Sequence, residues 1–234
     1  MRKIRCEQCP LRGTSLVADL PDAELDAFRA CTTIAIYKSR QVIFHAGAPT
    51  SGLYFLCHGA VKLYQSDRFG WDHIVAVAGP GEVLGELPSD PSEPYSVSAE
   101  TLTDSQLCYL PRERLAPFIQ THPMVGVRLI SALSAALGVS HKKVRALALK
   151  SAESRLADLL IQLAGATGSD GTRLTLRYSR REIAEMIGVS TETAIRLLGR
   201  LKRKRAISTS QRELVIADAE RLLRIANADS LGAT

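Results

Sequence analysis

The sequence lacks both kinds of segment that would direct the protein to a membrane. Its first residues, MRKIRCEQCP, contain no apolar core of the kind found in secretory signals. No run of apolar residues approaches the length of a membrane span. We therefore expect a cytoplasmic protein whose five cysteines are reduced or metal-bound rather than paired in disulfides.

Positive charge is scarce in the first part of the chain. Residues 1–140 carry 12 Lys and Arg and 14 Asp and Glu, a net charge of −2, whereas residues 141–234 carry 18 and 10, a net charge of +8. Neutralising nucleic-acid phosphates requires basic charge concentrated in this way, so we expect the C-terminal part to bind DNA. With 234 residues, 46% of them apolar, the chain is long enough for two compact domains.

The basic part contains a pattern typical of a helix-turn-helix, in Ser179–Arg205. Ser179 and Glu182 form a capping box that begins a first helix. Gly188 ends this helix, and Ser190 caps a second one. The first helix is predicted to bury Ile183, Ala184 and Ile187. The second is predicted to bury residues at three- and four-residue spacing: Ala194, Leu197, Leu198 and Leu201.

The opposite face of the second helix suits the major groove of DNA. An arginine can donate two hydrogen bonds to guanine, and a carboxylate can accept one from cytosine. Glu192 and Arg196 lie four residues apart on this face. They either read neighbouring base pairs, or Arg196 holds Glu192 in place for reading; an ordinary surface ion pair is the non-functional alternative. The surrounding residues are expected to contact phosphates: Arg180, Ser190, Thr191, Thr193, Arg200 and Lys202.

From about Thr33 to Leu110 the sequence changes to short β-type runs separated by glycines. The runs are IAIYKS, QVIFHAG, GLYFLCHGAVKLYQ, DHIVAVAGPGEVLGE, YSVSAET and SQLCYLP. Short strands with glycines at their turns indicate an antiparallel barrel or jelly roll, which encloses a pocket. A short helix is predicted before this region, at Pro21–Ala30, and a helical turn after it, at Pro111–Gln120.

A long helix is predicted from Pro123 to about Lys150. Its a and d positions form a stripe about three heptads long: Ile130, Leu133, Leu137, Ser140, Val144 and Leu147. The stripe either packs on the barrel of the same chain or pairs with a second copy. We favour a parallel homodimer, because helix-turn-helix proteins gain the spacing of their half-sites by pairing.

The remaining segments complete a winged domain. Ser151–Ala164 continues as an amphipathic helix, RLTLRY is a strand, AISTSQRELVIAD is a β-hairpin, and Ala219–Ala226 is a closing helix. The predicted fold class is α+β, in three segments. Residues 1–120 form a β-roll sensor with an N-terminal CxxC tail, residues 121–150 a dimerisation helix, and residues 151–234 a winged helix-turn-helix.

This order of parts resembles the Crp/Fnr family of bacterial transcription regulators over nearly the whole chain. The segments that carry the resemblance are VIFHAG, GLYFLCHGAVKLY, PGEVLGE and REIAEMIGVSTETAIRLLGRL. It implies a sensor built like a cyclic-nucleotide-binding jelly roll, with Glu192 and Arg196 contacting bases of each half-site. Ile195 stands where the Fnr branch usually has Ser and the Crp branch Gly; an exposed apolar residue there suits a thymine methyl group.

The resemblance also implies a candidate effector site at Gly85, Glu86, Tyr95 and Ser96. Members that bind cAMP place an Arg-Ser pair about ten residues after their Gly-Glu, and the matching positions here hold Tyr95 and Ser96. No Lys or Arg occurs between Arg68 and Arg112. Because a buried phosphate without a paired cation is costly, we expect a signal other than cAMP.

The Fnr branch binds a [4Fe–4S] cluster through four cysteines, three near the N-terminus and one in the barrel. Cys6, Cys9 and Cys108 resemble three of these ligands. The fourth position holds Ser15, whose oxygen is a poor substitute for a thiolate. Cys31 or Cys57 could take the place of that ligand, but we favour both as buried small hydrophobic residues.

Other signals remain as alternatives to the cluster. Haem or nitric oxide sensing would use one of five histidines: His45, His58, His73, His122 and His141. A small organic ligand, a change in thiol redox state, or the absence of any ligand would also agree with the sequence.

These observations predict a homodimeric transcription regulator that binds a palindromic promoter site. A signal in the β-roll would set the spacing of the two recognition helices through a hinge near Leu147–Glu153. Activation would require a contact with RNA polymerase, and repression by occlusion is the alternative. A cupin-like enzyme is disfavoured because His58 and His73 lack partner ligands at metal-site spacing. The helix-turn-helix disfavours a cyclic-nucleotide module that does not bind DNA.

Overall fold

The computed structural model describes residues 21–68, 70–88, 90, 92–166, 173–175, 178–209 and 213–231. Backbone contacts divide the chain into two compact units, residues 1–138 and residues 139–234. Helix α3, Pro123–Leu149, contributes residues to both units. The predicted functional division at residues 120 and 150 stays a prediction, and the two units are described separately.

The first unit is a β-roll preceded by helix α1 (Asp22–Cys31). Its strands are β1 (Thr33–Tyr37), β2 (Val42–Phe44), β3 (Gly52–His58), β4 (Val61–Ser66), β5 (Asp72–Ala78), β6 (Val83–Leu84), β7 (Ser98–Thr101) and β8 (Ser105–Pro111). They form two four-stranded antiparallel sheets, with the orders β1-β8-β3-β6 and β2-β7-β4-β5. The predicted jelly roll is confirmed. Two of the six predicted runs, however, contain two strands each. GLYFLCHGAVKLYQ holds β3 and β4, and DHIVAVAGPGEVLGE holds β5 and β6, which a turn at Gly79–Gly81 separates.

Strands β3 and β8 lie side by side and separate two apolar clusters. Since successive side chains of a strand point to opposite faces, Leu56 and Leu107 enter the inner cluster of the roll. Cys57 and Cys108 enter the outer cluster, which is covered by α1, by α2 (Arg112–Thr121) and by the first turns of α3. The outer cluster contains Leu25, Phe28, Leu53, Phe55, Leu110, Phe118, Val125 and Leu129.

The pairing of β3 with β8 depends on a glycine at the start of β3. A Cβ atom added to Gly52 would lie 2.2 Å from the carbonyl oxygen of Leu110 on β8. That contact involves backbone atoms, so no side-chain rotation relieves it. Gly52 therefore allows the two strands to approach.

The tip between β4 and β5 carries the single tryptophan of the chain. The Asp67 backbone N–H donates to the Trp71 carbonyl at 2.9 Å, and the Trp71 N–H donates to Asp67 Oδ1 at 3.0 Å. The Trp71 side chain is 58% exposed. The turn is thus closed by backbone and aspartate contacts, and the indole lies on the surface of the β-roll.

Helix α3 is the longest and most apolar helix in the described part of the chain. Its length and composition would allow it to cross a membrane. Its most apolar stretch of 18 residues has a mean hydropathy of 1.5, and 11% of that stretch is buried. No uninterrupted apolar run of that length occurs in α3, because isolated Ser, Gly and Arg residues interrupt it, and the expectation of no membrane span stays a prediction. No other helix in the described part of the chain is long and apolar enough to cross a membrane, and a single such helix is weak evidence for a membrane span.

The second unit is a winged helix-turn-helix fold. Its helices are α4 (Ala152–Ala166), α5 (Arg180–Ile187), α6 (Thr191–Arg203) and α7 (Ala219–Ala226), followed by a 3₁₀ turn (Ala228–Leu231). Strands β9 (Arg173–Thr175), β10 (Ile207–Thr209) and β11 (Glu213–Ile216) form an antiparallel sheet in the order β10-β11-β9. One core joins these elements through residues such as Leu156, Leu160, Ile183, Leu197, Leu201, Ile207, Leu214 and Leu222. The predicted wing and closing helix are both present.

The junction of α3 and α4 is held by polar contacts within the second unit. Lys150 Nζ lies 2.6 Å from Asp158 Oδ2 and donates to the Ala226 carbonyl at 2.9 Å. The Ser151 backbone N–H donates to Asp229 Oδ2 at 2.7 Å. The segment predicted as a hinge is thereby tied to the C-terminal end of the chain.

Candidate nucleic-acid interface and sensor site

Helix α5 begins and ends as its sequence predicts. The Ser179 hydroxyl accepts from the Glu182 N–H at 3.1 Å, and the Ser179 N–H donates to Glu182 Oε2 at 2.6 Å, which completes the capping box. Gly188 ends the helix in the left-handed conformation, at φ 68°. The buried side contains Ile183, Ala184 and Ile187, as predicted, and also Met186.

Helix α6 is fixed by a cap at one end and by its apolar face. The Ser190 hydroxyl accepts from the Thr193 N–H at 3.2 Å. The four residues predicted to be buried are buried: Ala194, Leu197, Leu198 and Leu201. The cap and the apolar face together determine which side chains remain outside.

The outer face of α6 presents the three residues expected to read bases. Glu192, Ile195 and Arg196 are exposed, and the Ile195 side chain is 53% exposed. Neither the Glu192 nor the Arg196 side chain has a hydrogen bond or ion pair with the described residues. The surface ion pair considered for these two residues is therefore not formed, and their polar groups are available to a ligand.

A recess of about 190 Å³ lies beside this face, between the start of α5 and the middle of α6. It is lined by Arg180, Ile195, Leu198, Gly199 and Lys202. The Nη1 atom of Arg180 is buried and has no hydrogen-bond partner among the described residues. Because the cationic side chains of Arg180 and Lys202 both line the recess, it suits an anionic oxygen.

The position of α6 is held by long-range contacts that the sequence did not indicate. Lys204 Nζ lies 2.7 Å from Glu153 Oε1 on α4, and Arg221 Nη1 donates to the Lys204 carbonyl at 2.7 Å. Arg155 Nε donates to the Ile187 carbonyl at 3.0 Å. Lys204 thus anchors the helix, whereas Arg200 and Lys202 are exposed on the basic end of α6.

In the β-roll, the structure brings Glu86 and Ser96 together. Glu86 Oε2 accepts from the Ser96 backbone N–H at 2.8 Å, and Glu86 Oε1 accepts from the Ser96 hydroxyl. Gly85, at φ 103°, precedes this carboxylate. The two donors that a phosphate would need at Ser96 are therefore taken by a carboxylate, which would also repel an anion.

Tyr95 is 2% exposed and fills the interior of the roll. Its ring stacks on Phe44 with centroids 4.2 Å apart, and its hydroxyl accepts from the Ser51 N–H at 3.1 Å. Burial raises the pKa of the neighbouring Tyr54 to about 12, so its phenol stays neutral. Tyr95 and Ser96 therefore do not fit a cyclic phosphate.

The barrel cysteine Cys108 is 2% exposed, and its Sγ atom lies 3.3 Å from the Sγ atom of Cys57. Cys31 packs against the same outer cluster and is half-buried, so it is less enclosed than predicted. Cys6, Cys9 and Ser15 lie outside the described residues. Among the residues that the structure describes, no group of three or more His, Cys, Asp or Glu is arranged to hold a metal.

Comparison with known protein families gives two matches in the same order as the two units. Residues 35–122 match the family model described as a cyclic nucleotide-binding domain. Residues 154–225 match the family model described as a Crp-like helix-turn-helix domain. The first match covers the β-roll, and the second covers the capped helices and the wing.

Similar proteins of known role are transcription regulators. The transcriptional activatory protein AadR of Rhodopseudomonas palustris is 26% identical over 98% of this chain and 94% of its own length. The CRP-like cAMP-activated global transcriptional regulator of Mycobacterium tuberculosis is 28% identical over 78% of this chain and 83% of its own. The structure of FixK2 from Bradyrhizobium japonicum has a TM-score of 0.73 at 26% identity, covering 83% of this chain and 96% of that one. Since both domain types occur in this order and the relatives extend along the chain, the protein belongs to the Crp/Fnr family of DNA-binding transcription regulators.

Proposed function

We propose that this regulator binds a palindromic DNA site as a homodimer and that a signal sensed in the β-roll controls this binding. The observation that carries the proposal is the outer face of α6. Glu192 and Arg196 have no partner among the described residues, on a helix that is capped and packed on its other side. A rigid helix with unpaired base-reading groups is suited to the major groove.

Base and phosphate contacts are assigned to different residues. Arg196 would donate to a guanine, Glu192 would accept from a cytosine, and Ile195 would contact a thymine methyl group. Phosphate oxygens would bind at the recess beside α6, where Arg180 and Lys202 supply positive charge. Further phosphate contacts are assigned to the remaining residues at the two ends of α6: Ser190, Thr191, Thr193 and Arg200.

Dimerisation is assigned to the predicted stripe of α3, called the seam here and defined as Ile130, Leu133, Leu137, Ser140, Val144 and Leu147. All six are exposed in the single chain. Other residues of α3 pack on the β-roll of the same chain: Val125 and Leu129 belong to its outer cluster, and the seam residues do not. An apolar row left exposed beside a buried one supports pairing with a second copy.

The signal would act through the junction at Leu147–Glu153 by favouring one arrangement of the dimer. We propose that it is not cAMP, because Glu86 occupies the donors of Ser96. An iron–sulfur cluster held by Cys6, Cys9 and Cys108 would be the Fnr-type alternative, and haem a second one. We further propose that the protein is a cytoplasmic activator that contacts RNA polymerase and that it is not an enzyme.

Selection of binding sites from random DNA duplexes tests this proposal. We expect the purified protein to enrich an inverted repeat, because a two-fold dimer presents two recognition helices. Arg196→Ala should lose preference at one symmetric base pair, costing about 1–3 kcal/mol per half-site. Arg224→Ala removes an equally exposed arginine from α7 and serves as the control. Selection of the same site with undiminished preference by Arg196→Ala would contradict the assignment.

A further inference from the structure

Two cysteines far apart in sequence meet in the outer apolar cluster, between the β-roll and the helices that cover it. Cys57 is on β3 and Cys108 on β8, 51 positions apart, and their Sγ atoms are separated by 3.3 Å. Their exposures are 0% and 2%. Buried cysteines often serve as small hydrophobic residues, so burial alone carries no function. Direct contact between two thiols across neighbouring strands is a different observation.

The strand pairing around Cys57 contains an irregularity. Leu56 pairs with Leu107, and the next pair is His58 with Gln106, so the strand register shifts at Cys57, which is an extra residue on β3. An extra residue of this kind is a β-bulge, which bends the strand locally and re-aims its side chains. Cys57 lies two residues after Phe55, the strand partner of Cys108, so the regular alternation of side chains places the Cys57 and Cys108 thiols on the same face.

We propose that Cys57 and Cys108 form a redox-active dithiol, a site of reversible oxidation to a disulfide by peroxides. One thiol would attack an oxygen of the peroxide, giving a sulfenic acid and one water. The second thiol would then attack the sulfenic sulfur, forming the S–S bond and releasing a second water. Two thiols and one peroxide thus give one disulfide and two waters, and a dithiol reductant reverses the change.

Disulfide formation requires the sulfur atoms to approach to about 2.05 Å, a movement of roughly 1.3 Å from their present separation. The bulge at Cys57 provides a place where β3 can adjust. Disulfides in reducing compartments are usually transient and regulatory, which matches a contact close enough to react but not bonded. None of the three cysteines in the described part of the chain forms a disulfide here.

The consequence for function follows from what surrounds the pair. The same apolar cluster contains Val125 and Leu129, by which α3 packs on the β-roll. Because interiors are close-packed, a movement of more than 1 Å between the two sulfur atoms requires the side chains around them to repack. We expect the oxidised protein to bind its DNA site at least tenfold more weakly. This part of the inference rests on the proposed function, whereas formation of the disulfide does not.

The test uses the full-length protein, reduced and then treated with hydrogen peroxide in steps. After alkylation and tryptic digestion, Cys57 and Cys108 fall in separate peptides, residues 41–62 and 69–112. We expect these peptides to appear joined, and dithiothreitol to separate them. Cys31→Ala should behave like wild type. Cys57→Ala should bind DNA within threefold of the reduced wild type and change by less than threefold on oxidation.

Each contrary result has a distinct meaning. Full alkylation of Cys57 and Cys108 after peroxide treatment would overturn the dithiol, as would a disulfide linking Cys108 to Cys6, Cys9 or Cys31. Unchanged DNA affinity in a protein shown to carry the Cys57–Cys108 disulfide would overturn its regulatory effect. If the reduced wild type selects no DNA site at all, the proposed function fails, while the peptide result still decides the dithiol. The peptide measurement needs only wild-type protein, so a poorly folded variant does not prevent it.

Discussion

Replacing Leu137 by Asp tests the dimer seam. The Leu137 side chain is 56% exposed in the single chain. Fully burying a leucine contributes about 1.5–3 kcal/mol, so covering the exposed part would contribute about 0.8–1.7 kcal/mol per copy, or about 1.6–3.4 kcal/mol per dimer. Leu137→Asp removes this contribution and places two carboxylates opposite each other. We expect the dimer dissociation constant to rise by a factor of roughly 15–300 or more.

Sedimentation equilibrium over a range of protein concentrations measures this change, and circular dichroism verifies that the helix content is retained. The matched control is Val139→Asp, which lies on the same helix, is 65% exposed and is outside the seam. It should leave the dissociation constant nearly unchanged. Equal weakening by both substitutions, or no weakening by Leu137→Asp, would refute the assignment of the seam.

Two further predictions concern stability. Gly52→Ala should destabilise the β-roll by about 1–3 kcal/mol, because the new Cβ would lie 2.2 Å from the Leu110 carbonyl oxygen, whereas Gly79→Ala, which meets no atom within 4 Å, should have little effect. Hydrogen bonds from Ser154 and Ser151 lower the pKa of Asp229 below its ordinary value of 3.8. A carboxyl group whose pKa is lower in the folded protein than in the unfolded protein stabilises the fold fully at a pH above its unfolded-state pKa. This stabilisation is lost as the pH falls toward its folded-state pKa. Asp229→Asn should therefore reduce the difference in melting temperature between pH 7 and pH 3.

Calorimetry checks both predictions. Equal melting temperatures for Gly52→Ala and Gly79→Ala would show that β3 and β8 adjust to the added methyl group. An Asp229→Asn protein with the same acid sensitivity as wild type would show that other carboxyl groups dominate unfolding at low pH.

The helix-turn-helix was predictable because its determinants are close together in sequence. Ser179 and Glu182 satisfy each other within one turn, Gly188 supplies a conformation that other residues rarely adopt, and Ser190 caps the next helix. The three- and four-residue spacing of α6 then identifies its buried face. Met186 was missed because the short α5 buries a wider arc than the three residues counted.

The contacts that sequence could not reveal join distant segments. Lys204 and Glu153 are 51 positions apart, and the same separation lies between Cys57 and Cys108. Glu86 and Ser96 come together only because the chain turns back between β6 and β7. Strand register, including the bulge at Cys57, decides which side chains meet, and a one-residue change in register would reverse their faces.

The tip of the β4–β5 turn has a practical consequence for separating the two units. Trp71 is the single tryptophan of the chain and belongs to the β-roll, so tryptophan fluorescence reports on that unit alone. Far-ultraviolet circular dichroism reports on the helices of both units, because α1, α2 and the first part of α3 belong to the first unit and α4 to α7 belong to the second. Transitions that coincide by both probes would indicate one cooperative molecule, and transitions that differ would give each unit a stability of its own.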